Sequence, residues 1–235
     1  MTSLNILSGG AAQGLVGSLA VAFEAQTGFD IAGEFGAVGL MADKLRKGTP
    51  ADLVILTAAL LAKLADEKLV VPASISNIGR VETALAVRAG DPLIAATDAV
   101  SLRHALLASD AIFVPDTKVS TAGIHVAKIL EQLGIAEEVA DRLKIHPNGA
   151  TAMKHLAASH AKRPVGCTQA TEIISTPGII LSGSLPPGCE LATMYTAGVT
   201  TNAAYAVQAH SLIDILTSGD QRTSRIRAGF LDAQI

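Results

Sequence analysis

The sequence lacks tryptophan, and its two tyrosines and five phenylalanines make up only 3% of the chain. It also lacks any run of lysine or arginine, and its net charge at pH 7 is −3. Nucleic acids are bound by clustered cations and by aromatic stacking, so these absences exclude a nucleic-acid surface. No apolar run is long enough to cross a membrane, and we therefore expect no membrane span.

Cysteine is equally scarce, since Cys167 and Cys189 are the only two. They are too few for a disulfide framework, which favours a reducing compartment, although a single bridge stays open. We interpret Cys167 as a buried strand residue. No nucleotide, dinucleotide or zinc motif is present, so we expect no cofactor and no metal. Met1-Thr2-Ser3 leads directly into the first strand without a signal peptide, which predicts a cytoplasmic protein, or a periplasmic one if a leader was removed.

What the chain has in abundance is apolar sequence, with 49% hydrophobic and 17% charged residues over 235 positions. Such a chain can bury a large core, in one large or two small domains. Segments with strand and helix periodicity alternate along it, which predicts an α/β fold with mainly parallel sheets flanked by helices. One segment, residues 136–145, has the spacing of a further helix.

Two loops of small residues each follow a predicted strand and open a predicted helix. The first is residues 8–14, and the second is Gly36 to Gly39, which runs into a helix over 40–48. The free N–H groups and the positive dipole end of a helix N-terminus favour an anion. The two loops therefore predict one anion site, with the alternative that Gly36 and Gly39 serve only as tight-turn residues.

A third loop of this kind, residues 116–123, precedes a helix that carries His125. Ser120 or Thr121 can cap that helix while its free N–H groups bind an anion, although a simple helix cap is the alternative. We place His125 in the first helical turn, where the dipole favours the neutral imidazole that a base requires. A purely structural histidine is the alternative.

Further candidates lie at strand ends. Arg80 precedes a predicted strand over 84–90 and can clamp a carboxylate through its guanidinium. Thr168 and Gln169 end another strand, at the position where open α/β sheets bind ligands. Glu172 lies one turn into the next helix, either as a base or as a solvated carboxylate at a helix start.

Three segments together resemble the molybdate-binding branch of the periplasmic solute-binding proteins. They are F-x-x-x-G-x-x-x-x-x-L-x-x-G-x-P-A-D-L, G-R-x-x-x-A-L-A-V-R-A-G and S-T-A-G-I-H-x-A-K-I-L, at 35–53, 79–90 and 120–130. The resemblance implies a two-lobed periplasmic-binding-protein-like fold of type 2, with a cleft between two α/β lobes. It implies one lobe of residues 1–83 plus 196–235 and another of 84–195, with hinge strands near 83–84 and 195–196.

The sequence departs from that family at the serines whose hydroxyls bind the oxyanion. Their positions correspond to Ala11 and to residues 37–39, although Ser8 and Gln13 can substitute in the first loop. The second loop keeps backbone donors and an apolar wall, which suits a ligand with carbon as well as oxygen. The resemblance also implies that Tyr195 donates its phenol to the bound anion.

These features favour an enzyme that resembles the aconitate isomerases, a cofactor-free isomerase that moves a double bond by allylic proton transfer. The base would be His125 or Glu172, and the same group or Tyr195 would return the proton. A small anionic organic acid would be bound by the following residues: Ser8, Gly9, Gly10, Gln13, Val38, Gly39, Arg80, Lys118, Ser120, Thr121, Thr168 and Gln169. The alternative is a binding protein that delivers a small oxyanion or carboxylate to an ABC permease. A ligand-sensing domain is less favoured, because no DNA-binding extension is evident.

Overall fold

The computed structural model describes residues 2–232, which form two compact units. Unit 1 consists of residues 2–81 and 193–232, and unit 2 of residues 82–192. The strands are β1 Ser3–Gly9, β2 Asp30–Gly36, β3 Leu53–Thr57, β4 Ser76–Arg88, β5 Ala111–Pro115, β6 Leu143–His146, β7 Pro164–Gln169, β8 Ile179–Ser184 and β9 Ala192–Val199. The helices are α1 Gln13–Thr27, α2 Val38–Arg46, α3 Ala58–Asp66, α4 Ala99–Ala108, α5 Thr121–Gln132, α6 Ala136–Val139, α7 Gly149–Ala157, α8 Ala170–Ile174, α9 Ala206–Thr217 and α10 Arg222–Arg227.

The chain passes from one unit to the other inside two strands. The boundary in β4 lies between Val81 and Glu82, and the boundary in β9 between Ala192 and Thr193. The predicted lobes, 1–83 plus 196–235 and 84–195, and the hinge strands near 83–84 and 195–196 stay predictions.

Unit 1 is built around β1, which pairs in parallel with β2 on one side and with β3 on the other. Strand β9 continues this sheet antiparallel to β3. Helix α1 buries Leu15, Leu19 and Phe23, which recur at the helical spacing of one face and join a single apolar cluster. The apolar strands β1 and β3 are buried at the centre of the sheet. Polar contacts with a ligand are therefore possible only where these strands end.

Asp52, in the segment Pro50-Ala51-Asp52-Leu53, has a structural role. Its carboxylate is buried and accepts the backbone N–H groups of Asn5, at 2.9 Å, and Tyr205, at 3.0 Å. Its own N–H donates to the Asn5 carbonyl oxygen at 2.7 Å. One side chain therefore ties together β1, the start of β3 and the segment before α9.

Unit 2 is built around β5, which pairs in parallel with β6 and β7. Strand β4 pairs antiparallel with both β7 and β8. Its helices α4 and α5 bury leucine and isoleucine side chains in one apolar cluster, and α7 buries Met153 and Leu156 in another. The predicted α/β class, with mixed, mainly parallel sheets flanked by helices, is confirmed.

Two sequence-based boundaries were wrong. The helix predicted over 136–145 ends at Val139, is followed by a 3-10 turn over Ala140–Arg142, and gives way to β6. The segment Leu143-Lys144-Ile145-His146 alternates apolar and polar residues and precedes Pro147, which disfavours helix before it. Strand β4 begins eight residues before the predicted start at 84, because the polar positions of residues 76–83 hid its strand pattern.

Within residues 2–232, no helix is both long enough and apolar enough to span a membrane.

Candidate functional site

Unit 1 brings two loops to one edge of its sheet. Because β1, β2 and β3 are parallel, their last residues, among them Gly9 and Gly36, lie at the same edge, and α1 and α2 begin beside it. The residues that precede these helices, Ala12 and Ala37, supply no side-chain cap. The first N–H groups of both helices are therefore without the side-chain acceptor that a serine or aspartate would supply.

Gly9 lies at this edge with the side chains of Val38 and Tyr195 close to its Cα. A Cβ atom there would lie 2.7 Å from Val38 Cγ1 and 3.0 Å from Tyr195 Cε1, so only glycine fits without a shift. Tyr195 is buried in β9 opposite Thr57, and its ring packs edge-on against Phe230 with the centroids 6.4 Å apart. The structure thus brings together the predicted site residues Gly9, Val38 and Tyr195. Gly10 opens a 3-10 turn over Gly10–Ala12, and Gly39 is the second residue of α2, which begins two residues before the predicted start at 40.

The other predicted residues of unit 1 have different surroundings. The buried Ser8 hydroxyl donates to the Gly9 carbonyl oxygen at 2.9 Å, and Gln13 is exposed at the start of α1. Arg80 lies in β4, where its backbone exchanges two hydrogen bonds with Leu231. Its Nε atom is buried and has no hydrogen-bond partner among residues 2–232.

In unit 2, the loop that follows β5 is shaped by an aspartate. Asp116 Oδ1 accepts the N–H groups of Lys118, at 2.7 Å, and Val119, at 3.1 Å. The chain then enters α5, whose preceding residue Ser120 makes no side-chain cap, with Thr121 as the first helical residue. Lys118 is exposed. The N-terminus of this twelve-residue helix therefore keeps N–H groups that no side chain caps.

His125 is the fifth residue of α5 and so lies one residue beyond the first turn in which we had placed it. Its Nε2 atom lies 2.9 Å from the carbonyl oxygen of Cys189. A carbonyl can only accept, so Nε2 carries the proton and, in the neutral ring, Nδ1 is the basic nitrogen. This contact holds the imidazole against the segment that precedes β9.

Glu172 occupies the N-terminus of α7 with its own carboxylate. It accepts the Thr168 hydroxyl at 2.6 Å and the backbone N–H groups of Gly149, Ala150 and Gln169. Burial raises the pKa of Glu172, and these four hydrogen bonds act in the opposite direction. The side chain is buried, so the alternative of a solvated carboxylate was wrong.

Three buried polar side chains of unit 2, Thr83, Gln169 and Thr171, have no hydrogen-bond partner within residues 2–232. Both polar atoms of the Gln169 amide and the hydroxyls of Thr83 and Thr171 are in this condition. Thr83 and Gln169 lie directly opposite each other in β4 and β7, and directly opposite residues of an antiparallel pair share one face of the sheet. Buried polar groups are almost always paired, so this cluster points to a ligand.

Sequence reasoning identified Gln169 but missed Thr83 and Thr171. In the sequence, Thr83 is only a threonine near the predicted crossover, and Thr171 is only a threonine two residues after the end of β7. Neither position can be recognised as part of a site until the pairing of the strands is known.

Two cysteines and a pair of histidines lie elsewhere in unit 2, and the Nε2 atom of His146 is likewise buried without a hydrogen-bond partner within the described residues. Cys167 and Cys189 are both free thiols, and burial raises the pKa of Cys167 to about 12. His146 stacks on His155 with the ring centroids 4.3 Å apart, and burial together with the His155 charge lowers the pKa of His146. Within residues 2–232, no three His, Cys, Asp or Glu side chains are grouped so that they could hold a metal ion.

Comparison with known proteins places this geometry in context. The sequence profile of a family described as bacterial extracellular solute-binding protein matches residues 4–231. An aconitate isomerase from a Pseudomonas species is 24% identical over 231 residues, which cover 94% of this chain and 84% of that protein.

Two solved structures share the fold at low sequence identity. The periplasmic molybdate-binding protein of Azotobacter vinelandii superposes with a TM-score of 0.82 at 17% identity, covering 99% of this chain and 100% of that one. The sulfate-binding protein SubI of Mycobacterium tuberculosis H37Rv gives a TM-score of 0.76 at 19% identity, covering 100% and 88%. The predicted resemblance and the periplasmic-binding-protein fold are thereby confirmed.

Proposed function

The chain belongs to the bacterial extracellular solute-binding proteins, and from this membership we propose that it binds a small anion and presents it to an ABC transporter. The two structural relatives are named for molybdate and sulfate, which are both small oxyanions. This binding function has more support than the isomerase that the sequence had favoured. The cytoplasmic location drawn from the start of the sequence stays a prediction.

The observation that carries the proposal is the unpartnered cluster of Thr83, Gln169 and Thr171 in unit 2. Leaving a buried polar group without a partner costs about 1–3 kcal/mol, so three such side chains together favour a bound polar ligand. The threonine hydroxyls and the Gln169 amide can all donate to an oxygen atom. The uncapped start of α5, in the same unit, adds backbone N–H donors, which suit an anion.

We further propose that the anion is a carboxylate with a carbon skeleton. Ala11 and the segment Ala37-Val38-Gly39 offer no hydroxyl donors, and the Ser8 hydroxyl is engaged by the Gly9 carbonyl oxygen. The buried Val38 side chain instead gives unit 1 an apolar wall beside its N–H groups. An organic acid uses both features, whereas a tetrahedral oxyanion uses only the donors.

The second candidate is a cofactor-free isomerase, and the observation that favours it is the aconitate isomerase that is 24% identical over 94% of this chain. In that case a base removes a proton from the carbon next to a carboxylate, and the proton returns at the other end of the allyl system. His125 would have to act through Nδ1, since Nε2 donates to Cys189. Glu172 would have to break hydrogen bonds before it could reach a substrate.

The test combines binding with chemistry. Thermal shift and calorimetry against molybdate, tungstate, sulfate, citrate and cis- and trans-aconitate identify the ligand class. Each stabilising acid is then incubated in deuterium oxide and followed by proton NMR. Tight binding of a carboxylate without exchange supports the transport function. Deuterium exchange or isomerisation establishes the enzyme instead, and stabilisation by molybdate alone contradicts the carboxylate proposal.

A variant pair localises the site. Gln169→Ala removes both polar atoms of the unpartnered amide and should weaken ligand binding about tenfold or more, which corresponds to the loss of one or two buried hydrogen bonds. Gln26→Ala, on the exposed face of α1, is the matched control and should bind as the unaltered protein does. Equal affinity of the two variants would remove Gln169 from the site.

A further inference from the structure

Unit 2 contains a cavity of about 280 Å³ at the opposite edge of its sheet from Gln169. Pro164 and Val165 line it at the beginning of β7, whereas Gln169 ends that strand. Five residues of extended strand separate the two positions, or roughly 16 Å. The cavity is therefore distinct from the anion site proposed above.

The walls of this cavity are mainly apolar. Val87 at the end of β4, Ile94 in the following loop, and Ala105 and Ala108 on α4 line it together with Val165. The two alanines leave the space that larger side chains would fill. A concave, largely apolar space with a few polar groups is the usual form of a small-molecule site.

The polar groups of the lining carry an unbalanced positive charge. Asp91 is paired with Arg88 at 2.7 Å, and Arg163 with Asp110 at 3.4 Å. Lys162, which also lines the cavity, makes no ion pair within the described residues. An apolar pocket with one free ammonium group at its lining matches a ligand that has an apolar chain and one negative charge.

We propose that this cavity is a second ligand site that takes a short-chain aliphatic carboxylate, with the chain against Val87 and Ile94 and the carboxylate at Lys162. Each methylene group buried in the cavity should tighten binding about fourfold, until the chain outgrows the space. The carboxylate should bind more tightly than the alcohol of the same length, because only the carboxylate pairs with Lys162.

The experiment is a ¹H–¹⁵N NMR titration of the full-length protein with butanoate, hexanoate and octanoate below their micelle concentrations, and with hexanol. We expect shift changes in the amides of 91–95 and 162–165, affinity rising from butanoate to hexanoate, and weaker binding of hexanol. No shift changes in those segments at any chain length would overturn the proposal, as would changes confined to the Gln169 edge.

Two variants separate the charge from the cavity. Lys162→Gln changes an exposed side chain and should reduce hexanoate affinity to that of hexanol while leaving hexanol binding unchanged. Ala105→Leu fills the cavity and should abolish binding of both. Unchanged hexanoate affinity in Lys162→Gln overturns the assignment of the carboxylate. Tight hexanoate binding by a folded Ala105→Leu protein overturns the assignment of the cavity.

Discussion

Gly149→Ala tests the arrangement around Glu172 more directly than any other substitution. A Cβ atom at residue 149 would lie 1.9 Å from Glu172 Oε2 and 2.1 Å from Thr168 Oγ1. The backbone at this first residue of α7 is one that alanine adopts readily, so the space alone forbids the substitution. The carboxylate and the hydroxyl must both move, and both are buried.

The expected cost has two parts. Overpacking a buried site costs about 1–3 kcal/mol, and a buried acceptor separated from its donors costs about as much again. For a protein of this size, each kcal/mol lowers the melting temperature by about 2–4 °C, so we expect a fall of roughly 5–20 °C.

Thermal unfolding followed by circular dichroism measures this shift, and Gly17→Ala is its matched control. Gly17 is exposed in α1, and a Cβ atom there would meet nothing within 4 Å. Alanine should therefore stabilise that helix by about 0.5–1 kcal/mol. If both variants melted at or above the temperature of the unaltered protein, the described packing of Glu172 against the start of α7 would be wrong.

Three further predictions concern buried groups. Because burial raises the pKa of Glu172, its protonated form favours the folded state at low pH, and this contribution is lost as the pH rises through the folded-state pKa. The melting temperature of the unaltered protein minus that of Glu172→Gln should therefore fall from pH 4 to pH 8, and a rise would refute the direction. Cys167, whose pKa is raised to about 12, should react with iodoacetamide at pH 8 only after unfolding, as peptide mapping would detect. Asp52→Ala leaves two backbone N–H groups without their acceptor and should cost about 2–5 kcal/mol in chemical unfolding, while Asp30→Ala, at an exposed position, should cost almost nothing.

The sequence predicted the fold well where periodicity and loop chemistry agreed. Residues 35–53 run from the end of β2 through α2 into β3, because a small-residue loop, an amphipathic run and an apolar strand succeed one another there. Residues 143–146 were misassigned because four residues are too few for the strand alternation to outweigh a preceding helical pattern. Local pattern decides long elements, whereas short strands depend on a neighbour, here β5.

The candidate site was harder to predict, because its polar residues are distant in the sequence and come together only through the pairing of the strands. Gln169 is prominent at the end of a strand. Thr83 occupies an unspecified position of the segment 79–90 and comes opposite Gln169 only when β4 and β7 pair. The sequence identified Glu172 as a candidate carboxylate at a helix start. Its role as an acceptor for the N–H groups of α7 depends on Gly149, which lies more than twenty residues earlier in the chain.

The helix starts differ in how their first N–H groups are satisfied, and α6, α8, α9 and α10 begin without a side-chain cap. Three helix starts carry a side-chain cap on a backbone N–H, from Thr57 on α3, Asp98 on α4 and Asn148 on α7. The helices that follow the three small-residue loops have no such cap, and the residues before them are Ala12, Ala37 and Ser120. At α7 the chain supplies an anion of its own, since Glu172 takes the two N–H groups that Asn148 does not.

Affinity for an anion and selectivity between anions come from different groups of the protein. Uncapped backbone N–H groups attract any small anion and do not distinguish an oxyanion from a carboxylate. Discrimination must therefore come from the side chains beside them, and at the edge of unit 1 that side chain is the apolar Val38. Val38→Ser would exchange an apolar wall for a hydroxyl donor, and the balance of binding should then move from organic carboxylates toward molybdate or sulfate, as calorimetry with both ligand classes would measure. An unchanged ratio of affinities would mean that Val38 does not face the ligand.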